Sequence, residues 1–375
     1  MWIPISPRIF DDASGDYALG KYPDLGFIGL QLKIGFNMAE DHILMLVQNL
    51  LAGQRLSEQA AQQFFDAVVK GQVDDVLLTA AITAIKVRKQ TPDELAGAAL
   101  ALLASATPFP RPDYAFADVV GTGGDGKNTI NISTITAITA ACCGVKIIKH
   151  GNRSISSVSG SFDLLERLGV DLMAPPEQLR QQVDDCGISF LFAPQFHSGM
   201  RHAGQVRKAL RTRTMFNLLG PLVNPARPPL MLLGVADPTL LHPIAEVLGR
   251  LGCEAAYVVH GSGVDEVAVH DKTTVVELRE GQRNEFEVYP TDFGCDVWPL
   301  NDLVCHEAGQ SHQRSVAVME GQGTAAENAA VSVNVAMLLQ LFGEDDLKKN
   351  FATAQEALRT GKPKDLIDKL VKGNE

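Results

Sequence analysis

The sequence predicts an α/β protein: a small all-helical domain ahead of a larger α/β domain with a mostly parallel central sheet. Three observations carry this. From residue 38 to about residue 106 apolar residues recur at helical spacing. A stretch with three prolines, TPFPRPDY (107–114), then reads as a linker. From Phe116 onward, short apolar runs alternate with helical stretches, the pattern of strand–helix–strand units.

Residues 1–37 show no clear period. They read as an extension, or as the result of a start placed too far upstream, with Met38 as the alternative start. The helical runs are ILMLVQNLLAG, SEQAAQQFFDAVVKG, DDVLLTAAITAIKVRKQ and TPDELAGAALALLAS. Ser57 and Thr91 stand where helix caps belong, and Gly71 suits a stop. In the second domain, 116–375, FADVV, VKIIK, ISFLFA, LMLLGVA and AAYVVH read as buried strands. TITAITAAC, SFDLLERLG and TLLHPIAEVLGRLG read as helices between them, with Gly169 ending the second. TTVVELRE and EFEVYP read as an antiparallel hairpin at the sheet edge. AAENAAVSVNVAMLLQLFG and DLIDKLVKG close the chain as helices.

At 375 residues the chain has room for two or three domains, at about 150 residues each. Its 46% apolar and 21% charged residues are ordinary globular usage and exclude a disordered or fibrous chain. Lys+Arg 33 against Asp+Glu 44 gives 33 − 44 = −11, which opposes a general nucleic-acid binder. Six cysteines without a Cys-x-x-Cys pair read as reduced thiols, so a cytoplasmic protein is expected. No apolar run reaches the ~18 residues of a membrane span, and the opening lacks the plan of a signal peptide.

Six features carry the chemistry. GTGGDG (121–126) follows a strand and precedes a helix, so its backbone can approach a phosphate closely and the helix end adds free N–H groups. A loose Gly-x-Gly-x-x-Gly match is present, but about 20 residues on, where a dinucleotide site wants an acid, the chain has Lys146 and Lys149; a dehydrogenase loses most of its support. Residues 127–162 hold no Asp or Glu, where composition would put about four, and they carry Lys127, Lys146, Lys149 and Arg153. That suits a ligand with several phosphates. In NIST (131–134), Asn131, Ser133 and Thr134 can bond phosphate or sugar oxygens, with plain N-capping as the alternative. KHGNRSISS (149–157), with Gly160 and Ser161 opening the next helix, should lie beside the glycine loop at the same sheet edge. Asp265 and Glu266, after a further strand, can hold Mg²⁺ against substrate phosphates, or be a solvated surface pair; His260 and His270 beside them read as structural. Finally, of Arg207, Lys208, Arg211 and Arg213, one guanidinium could pair with a substrate carboxylate.

Taken together, DVVGTGGDG (118–126), NIST, KHGNRSISS, GSFDLLERLGV (160–170), VRKALRTRTMFNLLGPLVNP (206–225) and GVDEV (263–267) resemble the anthranilate phosphoribosyltransferase family. The resemblance runs from about residue 38 to the C-terminus and leaves residues 1–37 without a counterpart. It implies transfer of the phosphoribosyl group of 5-phosphoribosyl diphosphate to the amine of anthranilate, the second step of tryptophan biosynthesis from chorismate. It implies Mg²⁺, a homodimer packed through the helical domains, and completion of the small domain by about residues 194–218. Carried over residue by residue, Gly121, Gly124, Asp125, Thr129, Asn131, Ile132, Ser133 and Thr134 would line the phosphoribosyl diphosphate site. Lys149, His150, Gly151, Asn152, Arg153, Ser154, Ile155, Ser156, Ser157 and Ser161 would continue it. Gly121, Asn152 and Arg207 would hold anthranilate, and Ser133, Asp265 and Glu266 the metal. Phe162 departs from the small residue usual in the family. An amidotransferase partner is a further implication.

Leaving diphosphate builds negative charge that metal, lysine and oriented N–H groups can neutralise. No residue reads as a strong base. His150 is the candidate to take the amine proton, with a structural histidine as the competing reading. Two other functions compete: a nucleoside phosphorylase of the same fold, which would not need the acid pair, and a nucleic-acid-binding relative, which would show a basic stripe and a degraded site.

Overall fold

Side chains alternate between the two faces of a strand, and here the alternation separates two apolar cores. Val119, Leu232 and Tyr257 face one core; Met231, Leu233, Ala256 and Val258 face the other. The protein is represented by a computed structural model that describes residues 38–153, 160–307 and 309–373. The 1–37 extension and the expected ligands Ser154, Ile155, Ser156 and Ser157 lie outside the described residues.

Four helices come first: α1 (Met38–Leu51), α2 (Glu58–Val69), α3 (Asp75–Arg88) and α4 (Pro92–Ser105). Their ends follow from local chemistry. The Ser57 hydroxyl accepts the Ala60 N–H, and Asp74 accepts those of Val76 and Leu77. Thr91 and Glu94 form a complete capping box, with Arg88 paired to the buried Glu94. Gly71, at φ +70°, follows the end of α2.

The α/β part begins with β1 (Ala117–Gly121), α5 (Ile132–Cys142), β2 (Ile147–Gly151), α6 (Ser161–Arg167), α7 (Pro176–Cys186) and β3 (Ile188–Phe192). It continues through α8 (Ala193–Phe196), a 3₁₀ turn (Ser198–Ala203), α9 (Gly204–Leu210) and α10 (Phe216–Leu219). Then follow β4 (Leu230–Gly234), α11 (Leu241–Arg250), β5 (Ala255–His260), β6 (Thr273–Arg279) and β7 (Gln282–Val288). The chain closes with α12 (Gln310–Met319), α13 (Ala325–Leu341), α14 (Leu347–Arg359) and α15 (Lys362–Lys372). The sequence pattern did not single out α7, α12 or α14. The stretch around 194–218 is cut into short pieces, as Pro194, Gly199 and Gly204 would require.

The sheet runs β3-β2-β1-β4-β5-β6-β7. Its first five strands are parallel, and β6 and β7 are antiparallel at the edge. The fold is thus a helical part plus a larger α/β part with a mostly parallel sheet. The chain steps outward from β1 to β3, then returns to place β4 on the other side of β1. That makes the β1/β4 boundary the switch point of an open sheet, where ligands bind beyond the carboxyl ends.

One face of the sheet packs with α5 and α13. The other packs with α11, with α1–α4, and with Val206, Phe216 and Leu219 of α9 and α10. Linker 107–114 is fixed in place: Phe109 is buried against Phe196, and the Tyr114 hydroxyl donates to Asp184 at 2.6 Å. Among the described residues no helix is long and apolar enough to cross a membrane.

Candidate active site at the carboxyl end of the sheet

Two glycines make room for the acid pair. Gly121 and Gly234 are paired at the ends of β1 and β4. A Cβ on Gly234 would lie 1.5 Å from the Asp265 carbonyl oxygen, and one on Gly121 would lie 2.2 Å from Asp265 Oδ2. The turn after β5 therefore lies directly on the switch point. His260 holds this turn by accepting the Gly263 N–H at 3.2 Å, and Asn334 of α13 accepts that of Val267 at 3.0 Å. Gly234→Ala must push the turn away by its backbone. The expected cost is about 1–3 kcal/mol of stability, with loss of activity that added Mg²⁺ does not restore, read by thermal melting and turnover.

Asp265 Oδ2 accepts the Gly123 N–H at 2.6 Å, tying the acid pair to the glycine loop. Within that loop Gly123, Gly124 and Gly126 have φ of +61°, +83° and +72°, a region side chains rarely enter. The far end of the loop is pinned by the segment before α12. Thr129 forms a bridge with Val304, and the Cys305 N–H donates to the Asn128 carbonyl at 2.8 Å.

Asn131 precedes α5 but makes no side-chain cap, so the N-capping alternative does not hold there; its Nδ2 is buried without a partner. Glu266 takes that role from across the site, accepting the Ser133 N–H at the positive end of α5. Ile132 and Thr134 face inward and are buried, and the Thr134 hydroxyl, like the Asn131 amide, has no hydrogen-bond partner among the described residues.

From β2, the buried Lys149 ammonium donates to the Val119 carbonyl and stands 3.4 Å from Ser133 Oγ. His150 beside it is buried, with Nδ1 3.3 Å from the Gly220 carbonyl and its ring edge-on to His197. Burial, then His197, pushes its pKa down to about 3. Gly151 ends the strand, and Asn152 is exposed beyond it. Arg153 is bound by Glu166 of α6 at 2.6 Å and lies over the Phe192 ring, so its guanidinium is already engaged. Ser161 opens α6. Phe162, next to it, fills the space above Gly151, where a Cβ would sit 2.5 Å from its ring, and stacks on Phe192. Its bulk is absorbed by the core.

Arg207 lies on α9. Its guanidinium lies 5.5 Å from the Phe216 ring centroid, partly buried, and has no carboxylate partner among the described residues. Burial lowers its pKa.

Electrostatically the site is short of positive charge. Burial and then Asp125 push the Asp265 pKa up to about 6, against the Gly123 N–H and Arg213. Burial, Asp265 and Asp125 raise that of Glu266 well above the usual range, with Lys149 opposing. None of the three carboxylates is in an ion pair among the described residues. Such an excess of hard oxygen donors fits a divalent cation. Among the described residues no three His, Cys, Asp or Glu side chains form a cage on their own; Mg²⁺ usually takes one or two carboxylates and fills its shell with waters and substrate phosphate oxygens.

Two elements were not assigned from sequence. Asp118 Oδ2 accepts from Asn224 Nδ2 at 2.9 Å, and Asn224 also donates to the Ile148 carbonyl, so β1 and β2 are joined beneath the site. Arg213 covers the glycine loop, its Nη2 donating to the Thr122 carbonyl at 2.8 Å. The asparagine in LVNP could have hinted at the first; the basic run 207–213 contained the second without distinguishing it.

Residues 113–364 match the family described as Glycosyl transferase family, a/b domain, and residues 45–106 match its helical bundle domain. The anthranilate phosphoribosyltransferase of Vibrio parahaemolyticus is 50% identical over 325 residues, covering 87% of this chain and 98% of the relative. The chain belongs to the anthranilate phosphoribosyltransferase family. Among solved structures of anthranilate phosphoribosyltransferases, that from Thermus thermophilus has TM-score 0.81 at 37% identity, covering 87% of this chain and 98% of that one. The Saccharomyces cerevisiae anthranilate phosphoribosyltransferase in complex with PRPP and Mg has TM-score 0.80 at 28% identity, covering 90% and 99%.

Proposed function

We propose that this protein transfers the phosphoribosyl group of 5-phosphoribosyl diphosphate to the anthranilate amine, giving N-(5-phosphoribosyl)anthranilate and diphosphate in tryptophan biosynthesis. The observation that carries this reading is the acid pair folded onto the glycine loop, with Asp265 on the Gly123 N–H. A nucleoside phosphorylase would have no use for that uncompensated negative charge.

In this reading the loop from Gly121 through Gly124, Asp125 and Thr129, with Asn131, Ser133, Lys149 and Ser161, receives the diphosphate sugar. Ile132, His150, Gly151 and Arg153 contribute backbone or packing, while the unpartnered Thr134 hydroxyl is free to bond. Mg²⁺ held by Asp265, Glu266 and the Ser133 hydroxyl would supply positive charge to the departing diphosphate. Lys149 stands beneath, its charge opposed by burial and supported by Asp118 and Glu266, and the unpartnered Asn131 amide is a spare donor. Arg207, with Asn152 and Gly121, orients anthranilate through its carboxylate. The amine is then presented to the sugar carbon while negative charge leaves on the other side, so positioning and leaving-group stabilisation do most of the work.

His150 at a pKa of about 3 is a poor base at neutral pH. His150→Ala is expected to lower kcat by less than about tenfold, since a general base contributes about 10²–10⁴. The pH profile of kcat should show no imidazole limb between about pH 5 and 8. A larger loss with a shifted limb would restore His150 as the base.

The helical part, completed by residues 194–218, is read as the small domain of a cytoplasmic homodimer. Exposed Leu44 and Met45 of α1 and Val76 and Val87 of α3 are its candidate contact. An amidotransferase that releases anthranilate is a fitting partner. The test is loss of anthranilate fluorescence with purified protein, phosphoribosyl diphosphate and Mg²⁺. Loss that requires all three supports the reaction. A folded protein that binds the diphosphate sugar yet consumes no anthranilate overturns it.

A further inference from the structure

Arg213 stands between α9 and α10, exposed, with its backbone anchored from α3: Lys86 Nζ donates to both Thr212 Oγ1 and the Arg213 carbonyl at 2.6 Å. From that anchor the guanidinium lies across Gly124. A Cβ on that glycine would be 1.4 Å from Nη1, so no other residue type leaves room for the guanidinium there. Only Nη2 is engaged, on the Thr122 carbonyl; Nη1 and Nε have no acceptor among the described residues. Nor does any carboxylate pair with Arg213, although eight other arginines of this acidic chain are held by acids: Arg88, Arg153, Arg180, Arg250, Arg279, Arg283, Arg314 and Arg359. A guanidinium with spare donors beside a loop of left-handed glycines is built for a phosphate, which it can grip with two parallel bonds.

We infer that Arg213 binds the diphosphate of the phosphoribosyl donor directly, where its guanidinium lies across Gly124. Its charge also reaches Asp265 on the metal side. This rests on the function proposed above. It also gives the segment carrying Arg207 a direct hold on the other substrate, so both ligands would be touched by one stretch of chain.

The test compares Arg213→Gln, Arg213→Lys and Arg211→Gln in the full chain with Mg²⁺. Arg211 is an exposed neighbour whose removal changes net charge equally. Steady-state constants are measured for both substrates, and binding of inorganic diphosphate with Mg²⁺ is measured by calorimetry without anthranilate. In Arg213→Gln, KM for phosphoribosyl diphosphate and Kd for diphosphate are expected to rise about tenfold or more. KM for anthranilate and kcat should stay within about threefold, and Arg211→Gln within about twofold. Arg213→Lys, keeping charge but losing the fork, should fall between the two. An unchanged diphosphate Kd with reduced kcat would overturn the inference in favour of loop ordering through Thr122. So would an equal effect of Arg211→Gln, which would mean a general field. A wild-type protein that binds diphosphate but consumes no anthranilate would sink the function and leave the Arg213 comparison valid.

Discussion

In Asp265→Asn, kcat/KM for phosphoribosyl diphosphate is expected to fall by about 10²–10³-fold while the thermal midpoint of the metal-free protein rises. The asparagine still accepts the Gly123 N–H, so the glycine loop keeps its anchor and the change isolates the charge. Activity falls because a ligand of the metal is lost. Stability rises because the folded chain no longer buries a carboxylate beside Asp125 and Glu266. The sign follows from the pKa of about 6 in the fold against 3.8 in the open chain. A raised carboxyl pKa means the ionised form is penalised on folding, fully above about pH 6, and the penalty fades as the pH falls towards 4. The gain in melting temperature should therefore be present at pH 7.5 and shrink at pH 4.5. Glu266→Gln, which keeps an acceptor for the Ser133 N–H, should behave the same way. A variant with lower melting temperature and unchanged Mg²⁺ requirement would mean that the pair serves the fold instead.

Arg207→Ala is expected to cost about 10²–10³-fold in kcat/KM for anthranilate, with diphosphate binding unchanged. The guanidinium is partly desolvated over Phe216 and has no internal carboxylate to satisfy it. A substrate carboxylate that takes this place makes a charge-assisted, two-pronged contact, and truncation removes it entirely. Arg207→Lys should recover little, because a point charge on a flexible stem cannot reproduce the planar fork. Aniline, which lacks the carboxylate, gives the complementary measurement: wild type and Arg207→Ala should use it equally poorly. A twofold change in KM for anthranilate would remove Arg207 from the acceptor site.

The parts of this protein that were legible in its sequence are those written in local chemistry. Thr91 and Glu94 form the capping box that their spacing implies, and the short apolar runs from residue 116 are the strands. The acid-free stretch 127–162 puts only Lys149 of its cations in the buried heart of the site: Lys146 donates to the Val183 and Asp184 carbonyls and Arg153 pairs with Glu166. What sequence could not show is contact across the chain. Nothing near Gly234 says that the Asp265 backbone will lie on it. Nothing in the run from Arg207 to Arg213 says that one guanidinium faces a ring and another a glycine loop. Nor could residue type show that Thr134 turns inward from α5, with its hydroxyl buried and unpartnered. Helices α7, α12 and α14 escaped because they are poor in apolar residues and bury small or polar side chains such as Gln182, Ser315, Asn350 and Ala354.

The second apolar core carries a lesson about modularity. Met231 and Leu233 on β4, Ala256 and Val258 on β5, and Phe64, Phe65 and Leu95 on the first helices all belong to it. Although the helices precede the sheet as a separate block of sequence, no polar boundary divides the two blocks; they share one dry core. A gene cut in linker 107–114 would leave each product with an open greasy face, and neither piece could be exchanged for another family's module without rebuilding the other.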